Sequence, residues 1–176
     1  MRRLFAAFIG SLALMTATAA GAADPENTLY MDLENGRVVI ELRPDLAPEH
    51  VARIKELTRE GFYDGIVFHR VIDGFMAQTG DPTGTGRGGS GQKLPAEFSN
   101  EPFERGTLGM ARTQDPNSAD SQFFIMFAPA PHLNGQYTVW GEVVDGMEHV
   151  DAIAKGEPPR NPDRIVRMQV AADAEG

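Results

Sequence analysis

Arg70 is a lone cation in Phe68-His69-Arg70-Val71-Ile72-Asp73-Gly74-Phe75-Met76-Ala77-Gln78-Thr79-Gly80-Asp81, among apolar residues that read as a strand. Asp73-Gly74 separates this run from a second strand-like run, and Asp-Gly between two apolar runs signals a hairpin. A hairpin folds Phe75, Met76 and Gln78 back beside Arg70. A guanidinium, an amide and two large soft side chains then share one small patch. Such a patch suits a neutral ligand with an apolar ring and an amide, rather than a phosphate or a metal.

Ser121-Gln122-Phe123-Phe124-Ile125-Met126-Phe127 is short, apolar and rich in aromatics, as a buried strand should be. Side chains alternate across a strand, so Gln122, Phe124 and Met126 share one face and Phe123, Ile125 and Phe127 share the other. One face can fill a core while the other offers Gln122 and Phe124 to a ligand. The ordinary alternatives are plain: a lone arginine usually sits in a surface ion pair, and apolar residues such as Phe75, Met76, Phe124 and Leu133 usually pack a core.

Other motifs do not lead to chemistry. Gly84-Thr85-Gly86-Arg87-Gly88-Gly89 has the spacing of a dinucleotide loop, but Gln92-Lys93-Leu94-Pro95 follows where a helix is needed. Gly88-Gly89-Ser90-Gly91-Gln92 lacks the last glycine of a nucleophile elbow. His50, His69, His132 and His149 show no metal spacing. His69 alternates away from Arg70 and reads as a hydrogen-bonded core residue. The acids at Asp115 and Asp120 form no calcium loop and read as a solvated turn. No metal and no cofactor are expected.

The elements that must position these groups can be read along the chain. Thr28 to Leu33 and Arg37 to Leu42 read as strands around Glu34-Asn35-Gly36, with Asn-Gly as the turn. Pro48 starts a helix whose Val51, Ile54, Leu57 and Thr58 share a face and whose C-terminal cap is Gly61. Val67 to Ile72 and Phe75 to Gly80 form the hairpin, and Gly80 to Gly91 is a loop. Thr107 to Met110, Phe123 to Phe127, Thr138 to Val144 and Ile165 to Val170 supply further strands. Met147, Val150 and Ile153 mark a second helix before Gly156. Glu157 to Asp163, with three prolines, is a connection. Many strands and two helices suggest a barrel whose open ends the helices cover.

The 176 residues suit one domain. Sixteen Lys plus Arg against 25 Asp plus Glu give a formal charge of -9, which argues against a nucleic-acid surface. Arg2 and Arg3 form a positive start, Leu4 to Met15 is apolar but short for a bilayer, and Ala20-Gly21-Ala22 is a small-residue cleavage pattern. Residues 1–22 are therefore expected to be a secretory signal, with residues 23–176 as the mature domain and Ala23 as the alternative cleavage point. Removing Arg2 and Arg3, and no acid, changes the charge from -9 to -11. There is no cysteine, hence no lipidated cysteine anchor and no disulfide. The periplasm is the expected location, with secretion as the alternative, no stable membrane insertion after cleavage, and a monomeric state.

From about Leu29 to about Val170 the chain resembles the cyclophilin family of peptidyl-prolyl isomerases. The resemblance rests on the hairpin quoted above, the glycine-rich segment from Gly80 to Gly91, Gly109-Met110-Ala111-Arg112, and Ser121-Gln122-Phe123-Phe124-Ile125. It implies an eight-stranded antiparallel barrel capped by two helices, and an enzyme that speeds rotation about X-Pro bonds without a cofactor. Its partners would be proline-containing polypeptides, with no nucleic acid. Arg70, Gln78 and Phe75 become the catalytic set, Gln78 holding the Arg70 rotamer. Phe75, Met76, Phe124 and Leu133 become a proline pocket, and Gln122 a contact to peptide backbone. Ala111 and Arg112 stand where the family offers backbone groups. The sequence departs from the best-known members at Arg112, where many have asparagine, at His132, where tryptophan stands, and at Tyr137, where histidine stands. A non-catalytic peptide-binding module on the same barrel is the alternative. A hollow barrel around a small apolar ligand is a more distant one, which Phe123, Ile125 and Phe127 disfavour because they can fill the interior.

Overall fold

Strand β1 (Thr28–Leu33) reverses directly into β2 (Gly36–Leu42), with Leu33 opposite Gly36. The turn residues are thus Glu34 and Asn35, one position earlier than the Asn-Gly motif suggests. Gly36 begins the strand instead. Its φ is +150°, and the His149 ring packs where a Cβ would stand, so the glycine serves a close approach rather than the turn. This description, from a computed structural model, covers residues 23–174. The expected signal segment lies outside the described residues.

Helix α1 (Pro48–Arg59) buries Val51, Ile54, Leu57 and Thr58, and His50 besides. Gly61 takes φ +70° just past its end, where a left-handed residue closes a helix. Ala47 gives its N-terminus no side-chain cap. The carboxylate of Glu97 replaces it, accepting from the N–H groups of Glu49 (3.1 Å) and His50 (3.0 Å) and lying 2.6 Å from His50 Nδ1. Two orphan donors of the first turn are satisfied from a distant loop.

The remaining elements are β3 (Arg70–Ile72), β4 (Met76–Thr79), β5 (Thr107–Met110), β6 (Phe123–Met126), β7 (Val139–Asp145), α2 (Met147–Asp151) and β8 (Ile165–Val170). They form one antiparallel eight-stranded sheet in the order β3-β4-β6-β5-β7-β2-β1-β8. The sheet curls until its edges approach at an antiparallel bridge between Val67 and Arg164. Ile165 donates to the Ile66 carbonyl and Phe68 to the Asp163 carbonyl, both at 2.9 Å. The expected strand from Val67 is therefore divided. Its first residues bond toward the β8 edge, and only Arg70–Ile72 pairs with β4.

Trp140, Phe123 and Tyr63 fill the interior, with ring centroids 5.2 Å apart for Phe123–Trp140 and 5.5 Å for Tyr63–Phe123. The buried Tyr63 hydroxyl donates to the Ser121 carbonyl at 3.0 Å. Phe123, Ile125 and Phe127 belong to this interior cluster, as does the inner face of α1 and, from α2, Val150. The interior is packed with side chains, as the alternation in β6 requires, and the hollow-barrel alternative loses its premise.

The loop from Gly80 to Gly91 is shaped by two carboxylates. Asp81 accepts from Thr83 N and Oγ1 (both 2.7 Å), Thr85 N (3.1 Å) and Gly86 N (2.6 Å). Asp120 accepts from Ser90 N (2.7 Å), Ser90 Oγ (2.6 Å) and Gly91 N (3.0 Å). Asp120 is thus a structural acceptor, not the solvated turn residue its sequence context suggests. Burial works to raise the pKa of Asp81. The Thr83 hydroxyl and the N–H groups of Gly88, Thr83 and Gly86 outweigh it and hold the carboxyl at about 2, from an ordinary 3.8. A depressed folded pKa adds stability that is present above the unfolded value and lost as pH falls through the folded one. Asp81→Asn should therefore cost about 2 kcal/mol at pH 7. It should also remove the part of acid destabilisation that lies between about pH 4 and pH 2. Urea unfolding of both proteins at pH 7 and pH 3 checks this, and equal stability at pH 7 would deny the carboxylate its role.

Candidate active site

Register across five strands sets the site. Arg70 on β3 stands opposite Gln78 on β4, Gln78 opposite Phe124 on β6, Phe124 opposite Gly109 on β5, and Gly109 opposite Val139 on β7. Directly opposed residues share a face. A cation, an amide, an aromatic ring and a vacancy in side-chain space therefore follow one another across the sheet. The hairpin that delivers Arg70 reverses at Asp73-Gly74, with φ +69° at Gly74.

Beside this row lies a groove of about 650 Å³. Arg70, Phe75, Met76, Gln78, Ala111, Arg112, Phe124, His132, Leu133 and Tyr137 all border it. Met76, Phe124 and Leu133 are also buried members of a second apolar cluster with Phe103, Met126, Ala130 and Val139, separate from the barrel interior. Met76, Phe124 and Leu133 therefore both pack together and line the groove, whose floor is itself a small core. The Phe103 ring stacks on Phe124 at 5.7 Å, and Tyr137 meets Phe124 edge-on at 5.7 Å. The exposed His132 ring lies 5.8 Å from Phe75.

Gln122 stands behind Gln78 rather than on the groove wall. Gln78 Nε2 donates to Gln122 Oε1 at 3.0 Å, and Gln122 Nε2 donates to the Gly88 carbonyl at 2.9 Å. Its amide therefore ties the glycine-rich loop to the hairpin. Arg112 folds back on its own rim. It donates to the Gln136 carbonyl at 2.7 and 3.1 Å and to the Thr113 carbonyl at 2.9 Å, and stacks 4.5 Å from the Tyr137 ring centre.

Two groove residues escape sequence reasoning. Glu157 accepts from Arg70 Nε at 2.8 Å, a shorter contact than the 3.4 Å from Arg70 Nη1 to Gln78 Oε1. The two residues are 87 positions apart, and Glu157 sits in a proline-rich connection that carried no motif. His69 is buried, as expected of a core residue, but it also borders the groove, and its Nδ1 has no hydrogen-bond partner. Burial holds its pKa below the ordinary 6.5, helped by the charge of Arg70 and opposed by the charge of Asp81 and by the Gln122 side chain. Strand alternation does not apply at His69, because β3 begins only at Arg70 and the residues before it bond toward the β8 edge.

Residues 28–170 match the family model described as "Cyclophilin type peptidyl-prolyl cis-trans isomerase/CLD". The chain belongs to the cyclophilin family. It is 56% identical to a probable peptidyl-prolyl cis-trans isomerase of Brucella suis, over 96% of this chain and 94% of that one. It is 45% identical to peptidyl-prolyl cis-trans isomerase B of Bacillus subtilis, over 74% and 92%. Among solved structures it is similar to a cyclophilin of Hirschia baltica, with a TM-score of 0.79 and 31% identity over 86% of this chain and 76% of that one. A cyclophilin-type isomerase of Cryptosporidium parvum, crystallised in the presence of the dipeptide Ala-Pro, gives a TM-score of 0.76 and 31% identity over 81% and 98%.

The row in this cyclophilin depends on a missing side chain. A Cβ on Gly109 would lie 2.5 Å from Phe124 Cζ and 2.6 Å from Phe103 Cε1, so the two rings occupy its place. Gly109→Ala should cost about 1–3 kcal/mol through overpacking. Adding Phe124→Leu to that variant should recover part of the loss by vacating the contested space. Urea unfolding of the single and double variants measures both effects, and full stability of Gly109→Ala would show that the stack is free to slide.

Proposed function

We propose that this chain catalyses cis–trans isomerisation of X-Pro bonds in exported polypeptides, with Arg70 as the group that stabilises the twisted amide. The observation that carries the reading is the strand register: it sets the Arg70 guanidinium on the same face as the apolar floor built on Phe124. Resonance in the C–N bond gives an uncatalysed barrier of about 18–20 kcal/mol. Only interactions stronger in the twisted state lower it. As the bond turns, the prolyl nitrogen becomes pyramidal and regains a lone pair. A fixed, permanently charged guanidinium is suited to meet it. Phe75, Met76, Phe124 and Leu133 would receive the proline ring, and Gln78 would steady the cation. The backbone at Ala111 and Arg112, with Tyr137 beside it, would meet the peptide on the other wall. No nucleophile or proton relay enters, since no covalent bond is broken. The Ala-Pro dipeptide used with the Cryptosporidium parvum neighbour supports a proline-containing ligand.

A protease-coupled assay on a proline tetrapeptide tests the activity. Exchange should be accelerated by micromolar mature protein, against tens to hundreds of seconds without it. Arg70→Lys keeps the charge but lacks the planar fork, and should lose two to three decades of rate, roughly 3–4 kcal/mol, while circular dichroism stays unchanged. Near-wild-type turnover in that variant would assign catalysis to shape and desolvation. No acceleration by the native protein would favour the binding module.

The export reading is supported by Arg2, Arg3, the apolar run to Met15 and the Ala20-Gly21-Ala22 pattern. Periplasmic protein from a bacterial host should begin at Ala23. Intact mass distinguishes this from a start at Asp24, and retention of Met1 in the mature pool would remove the export claim.

A further inference from the structure

We infer that Glu157 is a positioning residue that orients the Arg70 guanidinium toward the groove. This rests on the reading of Arg70 as the catalytic group. Glu157 Oε1 accepts from Nε, the donor nearest the aliphatic stem, at 2.8 Å. That bond fixes the plane of the fork while Nη1 reaches Gln78 at 3.4 Å. Among the described residues Nη2 has no protein partner, so it remains available to a ligand. Gln78 alone, through one long contact, would hold the fork loosely.

The carboxylate is delivered by a braced loop. Gly156 and Val71 exchange two backbone hydrogen bonds, both 2.8 Å, which attach the loop to the strand residue next to Arg70. Gly156 takes φ +148°, and a Cβ there would lie 2.6 Å from Pro159 Cα, so the crossing is built for glycine. Upstream, Lys155 Nζ donates to the carbonyls of Asp151 (2.6 Å) and Ile153 (2.8 Å), and Ala154 N donates to Asp163 Oδ2 at 2.7 Å. Both partners of the ion pair are largely open, with side chains 44% and 55% exposed. Exposed pairs contribute little to stability. The pair's loss is therefore read in turnover rather than in the melting temperature.

A double-mutant cycle on the mature chain tests this, using Glu157→Ala, Arg70→Ala and both together, with exchange rates of a proline peptide read by NMR. Glu157→Ala should lower kcat about tenfold at nearly constant KM and leave the melting temperature unchanged. Glu157→Gln, which keeps an acceptor, should recover part of that loss. In the Arg70→Ala background, Glu157→Ala should change kcat by less than about twofold, because the group it orients is gone. Equal factors in the two backgrounds, or no loss from Glu157→Ala alone, would overturn the role of Glu157 and leave Arg70 catalytic. Wild-type turnover in Arg70→Ala would overturn both.

Discussion

Cross-strand register is the constraint on which the site depends. Arg70 and Gln78 face each other across a hairpin, but Phe124 and Gly109 come from strands later in the chain, and hydrogen-bonded opposition across β3, β4, β6 and β5 brings all four into one row. A slip of one residue would turn every side chain of a strand to the other face. The slip is prevented by the other face of the same strands. Phe123 and Ile125 are locked into the barrel interior against Trp140 and Tyr63, so Phe124 has no choice of side. The interior core thus sets the position of the groove without touching a ligand.

The groove floor is held by a second cluster outside the barrel, and this explains its shape. Phe103 and Tyr137 come from loops and a turn rather than strands, yet they clamp Phe124 from two sides. Gly109 supplies the space beneath. A pocket wall of mutually packed rings, Phe103 and Phe124 buried and Tyr137 half-buried, holds its own shape, and little ordering remains for a ligand to impose. Arg112 extends the same logic to the rim. Its cation is spent on backbone carbonyls and the Tyr137 face, so it stiffens the rim.

Much of this was legible in the sequence because it is local. The bounds of β1, β5 and β8 follow directly from apolar runs and their flanking residues, and the two faces of β6 follow from alternation. The hairpin that opposes Arg70 and Gln78 follows from Asp73-Gly74. What was not legible depends on partners remote in the chain. The strand expected from Val67 splits because its first residues bond to the β8 edge. Glu157 carries no motif and gains meaning only when Gly156 docks on Val71. Gln122 has the right face, but the Gly88 carbonyl claims its amide. Asp120 seemed a turn acid because Ser90 and Gly91, its donors, lie about thirty residues earlier. The roles proposed for the groove residues rest on the family resemblance and on geometry, and composition alone would not have assigned them.

The buried and half-buried carboxylates explain why a glycine-rich loop beside a cation does not make a phosphate site. A phosphate cradle needs free backbone N–H groups. Here Asp81 already accepts from Thr83, Thr85 and Gly86, and Asp120 from Ser90 and Gly91. The anion that such a nest would capture is built into the chain. Gly88 and Gly89 are small because Asp81 and Asp120 press against them. At the other end, Glu157 offsets the charge of Arg70 while leaving part of its fork open. Arg112, the second cation bordering the groove, faces backbone carbonyls rather than an acid. The loop N–H groups that a phosphate would need are therefore taken, and on the proposed reading of Arg70 its open fork is left to meet a neutral amide whose nitrogen becomes basic only as it twists.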